Sequence, residues 1–467
     1  IPNSVGIYYT STSENPSITD NSIIVQVDKS NTIGVYVANK STLTKQSTGG
    51  IIIGTDENNQ VENVTGLVAS TGSVINNKGT ISLENTSKSI GLASLGGTIN
   101  NSGTIELKDK TISGTGVFLT EGSIFNNEIA GEKGTIKIEN LGDKNGIGIG
   151  IYTKGENITI GSTGNFDIAE GNIAIYSDGT DISSDINLVN GDKNSKTIAL
   201  VVKSDKDTNI GGTDKDKMEI TLAKGSTGIY ALDSGVKISN VSIDAKANEG
   251  YKENETNSSL SYGIYLGAGD GDYKIENTDI SLVKGVGIVV NTTDTNKSTS
   301  LTLKDSILNI ASYSEGDNAE TGIGIYTQSG NITLAGENFI NTTYGVGIFG
   351  GEGSNINVGN ETNKDTLNIK GYSVGVYSKG GEINLGTNTD IIFQQGKAQN
   401  SDNSSKEVSK GVGAYVIDGN INSSANIKID GENTITSDGI VGILGKQSIP
   451  NPQEETVDKE VSITNSG

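Results

Sequence analysis

The chain of 467 residues contains no cysteine, no histidine, no tryptophan and no arginine, and it has only four prolines and one methionine. Without cysteine and histidine, disulfides, thiolate or imidazole metal sites, and Ser-His or Cys-His nucleophiles are all excluded. No apolar run approaches the roughly 18–20 residues that a membrane-spanning helix needs. We therefore expect no cofactor and no membrane contact by this segment.

Positive charge is also scarce, because 34 basic residues stand against 56 acidic ones and the net charge is −22. Proteins that bind nucleic acid neutralise backbone phosphates with lysine and arginine. This surface would repel phosphates, so nucleic acid is excluded as a partner. Strong acidity instead favours the solubility of a long exposed body.

One short phrase recurs sixteen times: a small residue, an aliphatic residue, then an aromatic or aliphatic residue. Gly116-Val117-Phe118 and Gly375-Val376-Tyr377 are two copies. The small residue is glycine in fourteen copies and alanine in two, Ala174 and Ala199. A position that meets the same neighbours in every repeat keeps the same residue types, so the phrase predicts stacked equivalent turns.

Most intervals between phrases contain two further strand patterns bounded by Gly, Asn, Asp and Ser. After Ile90-Gly91-Leu92 come Thr98 to Asn101 and Thr104 to Leu107, each with the alternation of a half-buried strand. No stretch has a helical period. The pattern predicts an all-β fold, a three-faced parallel β-helix of about 16 rungs, in one body over residues 1–467. We expect a right-handed helix because parallel crossovers are right-handed.

Alternation within the phrase predicts that the residues on either side of the glycine face the interior, and that the glycine and the aromatic residue face outward. The aliphatic residues after the small residue would then stack through the centre of the solenoid. They are Ile7, Val35, Leu67, Leu92, Val117, Ile151, Ile175, Leu200, Ile229, Ile264, Ile288, Ile325, Ile348, Val376 and Ile443.

Asparagine pairs mark a corner in two matching segments, Asn76-Asn77 and Asn100-Asn101, each followed two residues later by glycine. Asparagine and glycine tolerate the positive φ of a tight corner. Stacked asparagine side chains also form hydrogen bonds along a solenoid axis. The segments therefore predict structural asparagine ladders.

Nine of the sixteen tyrosines occupy the aromatic position of the phrase. They either form a ladder that stacks on sugar rings, or they pack on one another and cover one face. Val, Leu, Ala and Phe fill the other copies, which favours packing. The nine are Tyr8, Tyr36, Tyr152, Tyr176, Tyr230, Tyr265, Tyr326, Tyr377 and Tyr415.

Long intervals are the better places for a ligand, because solenoid insertions commonly carry binding. The interval before Gly263 and the next one each contain a tyrosine outside the phrase, close to acidic residues. We expect both tyrosines in neighbouring loops, where they contact a glycan or a protein; a plain solvated loop is the alternative. The candidate ligand-binding residues are Tyr251, Lys252, Glu253, Asp270, Asp272 and Tyr273.

The sequence gives weaker support to two other activities, metal binding and catalysis. Asp270 with Asp272, and separately Asp205, Asp207, Asp214 and Asp216, lack the spacing of known calcium-binding repeats, so we expect solvated carboxylates and no metal. Parallel β-helices also include polysaccharide lyases and hydrolases. Without arginine, and without a carboxylate cluster repeated on one face, we expect no enzyme and no catalytic residue.

The segment from Gly97 to Ile105, the absence of cysteine and the acidic, Asn- and Lys-rich composition resemble passenger domains of bacterial type V (type Va) autotransporter adhesins. The large fusobacterial outer-membrane adhesins are the closest likeness. The resemblance covers essentially the whole chain, but its motif specifies the turn of the solenoid and no ligand.

The resemblance implies a monomeric β-helical passenger segment at the cell surface, on the extracellular side of the bacterial outer membrane. It implies a segment truncated at both ends, without its signal peptide and C-terminal membrane β-barrel. Such adhesins attach to host-cell glycans of the galactose and N-acetylgalactosamine type, to host surface receptors, or to other bacteria. A passive stalk that spaces a distal binding head from the membrane is the alternative.

Overall fold

The structure is a computed structural model that describes residues 4–10, 17–20, 24–56, 58–139, 146–188, 196–204, 207–223, 225–245, 260–267, 271–291, 299–311, 322–359, 364–370, 372–394, 396–399, 405–408, 410–430, 440–446 and 462–465. Two compact units divide the chain. The first consists of Ile1–Gly212 and Met218–Ile229, and the second of Thr213–Lys217 and Tyr230–Gly467.

In the first unit, three sets of strands follow one another along the chain. The phrase strands are Ser4–Tyr9, Thr32–Val37, Thr65–Ser70, Ile90–Leu95, Thr115–Thr120, Ile149–Lys154, Ile173–Asp178 and Ile198–Lys203. The second face has Ser17–Asp20, Thr42–Lys45, Val74–Asn77, Thr98–Asn101, Ile124–Asn126 and Thr159–Ser162. The third face has Ile24–Val27, Gly50–Ile53, Thr80–Leu83, Thr104–Leu107, Thr135–Ile138 and Asn165–Ile168.

Shorter strands complete the first unit at its corners and its later turns. They are Val61–Glu62, Thr86–Ser87, Glu128–Ile129, Glu132–Lys133, Ile186–Asn187, Thr208–Ile210 and Met218–Thr221. The phrase strand Thr227–Ala231 falls partly in each unit.

The second unit repeats the arrangement. Its phrase strands are Ser261–Leu266, Gly285–Val290, Ile323–Thr327, Val346–Glu352, Tyr372–Lys379, Lys410–Ile417 and Ile440–Lys446. Its second face has Thr299–Lys304, Asn331–Ala335, Asn355–Val358, Glu382–Leu385, Asn420–Ser423 and Ser462–Asn465. Its third face has Ile307–Ala311, Phe339–Thr343, Asp365–Lys370, Thr389–Gln394 and Asn426–Asp430. Two long strands, Val236–Asp244 and Gly271–Leu282, bend across the corner between these faces, and Gly396–Gln399 forms an antiparallel hairpin with Ser405–Val408.

Within each unit, successive phrase strands pair in parallel, as do successive strands on the other faces. No helix occurs among the described residues. This confirms the predicted all-β parallel β-helix. The rung count differs slightly from the expected sixteen: all sixteen phrases form strands, but the solenoid has about twelve regular turns. Among the described residues, Ile173–Asp178 is followed by only the two-residue strand Ile186–Asn187, and Ile440–Lys446 is followed by only Ser462–Asn465.

The predicted aliphatic column forms the centre of each unit, except that Ile7 is 42% exposed and Ile443 is only half-buried. Leu67 pairs with Leu92, and Leu92 pairs with Val117, in register; all three side chains are fully buried. Ile288, Ile325 and other members repeat this in the second unit. Each buried aliphatic side chain contributes about 1.5–3 kcal/mol, so the column stabilises a body that has no globular core.

The glycine of the phrase faces the interior, and the prediction that it faces outward was wrong. A Cβ on Gly91 would lie 3.2 Å from a methyl group of Ile105, which is a core residue of the third face. The residue before the glycine, predicted to be inward, is only half-buried in most copies, as at Thr65 and Ile90. Strict alternation fails here because two successive residues, the glycine and the aliphatic residue, face the core, and isoleucines from the third face fill the space that a side chain would occupy.

Asparagine ladders form as predicted. Asn77 Nδ2 donates to Asn101 Oδ1 at 2.7 Å, and Asn101 Nδ2 donates to Asn127 Oδ1 at 2.6 Å, all within the interior. Asn76 and Asn100 form a second, half-buried ladder. Positive φ does not occur at these residues. It occurs at another corner, in a column that begins with Asn31 and Asn63 and continues with Lys88 and Ser113.

Candidate functional site

The predicted ligand-binding residues divide into two groups. Tyr251, Lys252, Glu253 and Asp270 lie outside the described residues. Asp272 and Tyr273 lie in the strand Gly271–Leu282, where a loop was expected. Asp272 is exposed and accepts a hydrogen bond from the Ser300 hydroxyl.

Tyr273 is buried, with 1% of its surface exposed, and it pairs in register with the core residue Leu301. The expectation that Tyr273 lies in a loop and presents its ring to a ligand is therefore wrong. Strand alternation places Asp272 outside and Tyr273 inside, so the two side chains do not share a surface. In the described residues, no group of three or more acidic side chains is placed to hold a metal ion.

Outward-facing rings of the phrase strands form continuous runs. In the first unit, the ring centroids of Phe118 and Tyr152 are 5.3 Å apart and those of Tyr152 and Tyr176 are 5.1 Å apart, both edge to face. We call Phe118, Tyr152 and Tyr176 triplet 1. All three rings are half-buried, so they pack on one another and still present surface to solvent.

The second unit contains the same series of residue types. Phe349 and Tyr377 stack with their centroids 4.7 Å apart, and Tyr377 meets Tyr415 at 5.5 Å with an interplanar angle of 73°. We call Phe349, Tyr377 and Tyr415 triplet 2; Tyr326 extends it by one ring, 5.3 Å from Phe349. Mutual ring packing, the interpretation favoured by the sequence, is confirmed.

A lysine follows the central tyrosine of each triplet by two residues, on the same side of the strand. These are Lys154 in triplet 1 and Lys379 in triplet 2, and both are exposed. Neither forms an ion pair within the described part of the chain. The lysines place a hydrogen-bond donor at the edge of each run of rings.

A carboxylate lies opposite each of these lysines. Asp178 pairs with Lys154 in register, and Glu352 pairs with Lys379. The second pairing depends on an irregularity in the strand Val346–Glu352, between Gly350 and Glu352, which brings the glutamate opposite the lysine. Bulges of this kind re-aim side chains. Each triplet therefore has both a cationic donor and an anionic acceptor at its edge.

The hydroxyl groups of the two central tyrosines, Tyr152 and Tyr377, remain protonated. Burial raises the pKa of Tyr152, and the negative charge of Asp178 raises it further. Burial also raises the pKa of Tyr377, with a smaller contribution from Tyr415. The Tyr152 hydroxyl points toward Asp178 Oδ2 at 3.4 Å, where it can donate a hydrogen bond.

The sequence contains a signal for this arrangement that the Tyr column alone did not reveal. The two central strands read Gly-Ile-Tyr-Thr-Lys at 150–154 and Gly-Val-Tyr-Ser-Lys at 375–379. The shared Tyr-x-Lys places ring and ammonium on one side of a strand. The matching carboxylates were not visible, because one of them depends on a bulge.

No protein-family model matches the chain, and no curated protein matches it. Among solved structures, it is similar to the receptor-binding protein of bacteriophage Det7, a podoviral tailspike in a myovirus. The identity is 10% and the TM-score 0.20, over 98% of this chain and 78% of that chain. A likeness this low carries no functional argument. No helix in the described residues is long and apolar enough to cross a membrane.

Proposed function

We propose that this chain is part of a surface-displayed adhesin, in which the β-helix presents binding surfaces to glycans on host cells or on other bacteria. The observation that carries the proposal is the pair of half-buried aromatic triplets, each with a lysine and a carboxylate at its edge. Rings expose a flat apolar surface, and a few polar groups beside it orient a ligand.

A parallel β-helix suits this role because its faces are long and repeat the same positions from turn to turn. The resemblance to autotransporter passenger domains supports the same role, with display on the extracellular side of the outer membrane. Galactose- and N-acetylgalactosamine-type glycans belong to the proposal on that resemblance. A host surface receptor is the other partner that it suggests.

A passive stalk is the second candidate, and different features favour it. Much of the polar surface serves to join adjacent turns: Lys108 pairs with Glu84 at 2.7 Å, and the half-buried asparagine ladder joins Asn76 to Asn100. A stalk needs these contacts and no ligand. The triplets distinguish the two candidates, since a spacer has no use for a donor and an acceptor beside exposed rings.

Adhesion of coated beads tests the proposal. Beads that carry the purified chain should adhere to cultured mammalian epithelial cells, or aggregate a second bacterial species, and soluble chain should block this. Beads coated with a heat-unfolded sample are the control. Adhesion no greater than that of control beads, on all cells tested, would establish the stalk instead.

A further inference from the structure

We infer that triplet 1 and triplet 2 are two similar subsites for neutral sugar chains, so that each chain binds two ligands; the carboxylate lies on the turn after the lysine in triplet 1 and on the turn before it in triplet 2. This inference rests on the proposed function and adds to it the selection of neutral over acidic sugars and the number of sites. Its basis is the recurrence of one constellation in two separate units: Phe, Tyr and Tyr on three consecutive turns, with Tyr-x-Lys in the middle turn.

The chemistry of the edge groups selects the ligand class. A lysine ammonium only donates hydrogen bonds and an ionised carboxylate only accepts them, whereas a sugar hydroxyl does both. Lys154 with Asp178, and Lys379 with Glu352, therefore match pairs of hydroxyl groups on a neutral sugar. A sulfated or carboxylated sugar would meet the Asp178 or Glu352 carboxylate, and like charges repel.

The rings supply the remaining contact. The C–H groups of a pyranose form an apolar face that packs on an aromatic ring. Adjacent centroids in the triplets are 4.7–5.5 Å apart, so a ligand that lies along the turns meets a ring at each step. Because all six rings are only half-buried, this surface is already available without rearrangement.

Other outward rings lack the full set and serve as comparisons. Tyr8 and Tyr36 stack with centroids 5.5 Å apart, but the residues two positions after them are Thr10 and Ala38. Lys78 is an exposed lysine at a turn away from both triplets, and no ring lies two residues before it. The variant Tyr36→Ala with Lys78→Gln therefore makes the same chemical changes as a triplet variant, outside both triplets.

The test is a glycan array followed by titration calorimetry. Since the chain has no cysteine, Asn58→Cys provides a single labelling position at an exposed turn, and the triplet lysines stay unmodified. The array carries neutral oligosaccharides that end in galactose, N-acetylgalactosamine, glucose or mannose, together with sialylated, sulfated and uronic-acid glycans. The variants are Tyr152→Ala with Lys154→Gln, Tyr377→Ala with Lys379→Gln, and the combination.

We expect neutral glycans to bind, with two molecules of the strongest neutral ligand per chain in calorimetry. Each triplet variant should lower this number to one, because affinity at the altered site falls by about tenfold or more. The combined variant should not bind measurably, and the Tyr36→Ala, Lys78→Gln control should bind two. Circular dichroism melts check that every variant is folded.

Four results would overturn the inference: signals from acidic glycans alone, neutral signals that survive in the combined variant, equal loss in the control, or one ligand per chain in the unaltered protein. If the array shows no binding but the coated beads adhere, the inference is wrong and the adhesin function remains, with a protein receptor as the partner. A blank array with non-adherent beads would overturn both.

Discussion

The carbonyl oxygen of Gly116 lies 2.8 Å from the position that a Cβ on Gly91 would occupy. The two glycines belong to consecutive phrases, and the next phrase has the same relation, with Gly150 O at 2.7 Å from a Cβ on Gly116. A side chain at this column meets backbone, which cannot rotate away. The close approach of consecutive turns therefore favours glycine at this position and admits at most the methyl group of Ala174 and Ala199.

Gly91→Val should lower the free energy of unfolding by about 1–3 kcal/mol, because the added atoms force the turns apart. Urea titration followed by circular dichroism measures this. Thr115→Val is the matched control: it places the same side chain one residue before a phrase glycine, at a half-buried position whose register neighbours are already Ile90 and Ile149. The control should change stability by less than about 0.5 kcal/mol. Equal effects would show that the glycine column has no special steric role.

Asn101→Leu should destabilise the chain more than Asn100→Leu. Asn101 accepts a hydrogen bond from Asn77 and donates one to Asn127, and all three side chains are fully buried. Leucine leaves both neighbours with an unpaired buried group, at about 1–3 kcal/mol each. Asn100 is only half-buried, so water replaces its partners. Thermal melts of the two variants compare them, and equal melting temperatures would contradict the role of the buried ladder.

Asp390 should make the stability of the second unit depend on acid pH. Burial raises the pKa of this carboxyl, but hydrogen bonds from Lys364 and Lys428 outweigh it and hold the pKa below the ordinary value of 3.8. A depressed folded-state pKa contributes stability above the unfolded pKa and loses it as the pH falls through the folded pKa. The contribution is thus full near neutral pH and disappears below about pH 4.

The measurement for Asp390 is the urea midpoint between pH 3 and pH 7 for the native chain and for Asp390→Asn. The variant should be less stable at pH 7, since Lys364 and Lys428 lose their anionic partner, and the difference should shrink as the pH falls below 4. Asp272→Asn, at an exposed residue, is the control. A difference that stays constant across this range would show that the carboxylate charge of Asp390 adds no stability.

Tyr273→Ala should reduce stability and leave glycan binding by the folded protein unchanged. The side chain is among the largest fully buried ones, and truncation of a buried aromatic residue costs about 3–5 kcal/mol. Urea titration measures the loss, and binding is compared at a temperature where both proteins are folded. Lost binding with unchanged stability would restore the sequence-based interpretation of Tyr273 as a ligand contact.

The sequence predicted the fold because the phrase repeats one steric requirement. A small residue such as Gly91 and an aliphatic residue such as Leu92 recur in every copy of the phrase, so aligning the copies is enough to identify stacked strands and the aliphatic column. The ladder of Asn77 and Asn101 followed from two matching segments. These features arise because the same residue type occupies equivalent positions in adjacent turns. Such a repeat is visible in the sequence.

The candidate site was harder to predict, because it depends on where each side chain points. Composition and spacing predict that the Tyr273 ring is at the surface. The strand that begins at Gly271 instead directs this side chain into the core. Conversely, the sequence favours packing as the role of the triplet tyrosines. Ring packing and exposure coexist there because the rings are half-buried, and a sequence does not state the degree of burial.

By itself, the sequence determined that this is a parallel all-β solenoid with aliphatic and asparagine ladders, since a fixed repeat forces like residues into register. Only the tertiary structure decided which direction the phrase glycine faces, because that depends on isoleucines of another face. Only the tertiary structure also showed that Glu352 lies opposite Lys379. This pairing depends on an irregularity that shifts the register of one strand, and no residue type in the sequence predicts that irregularity.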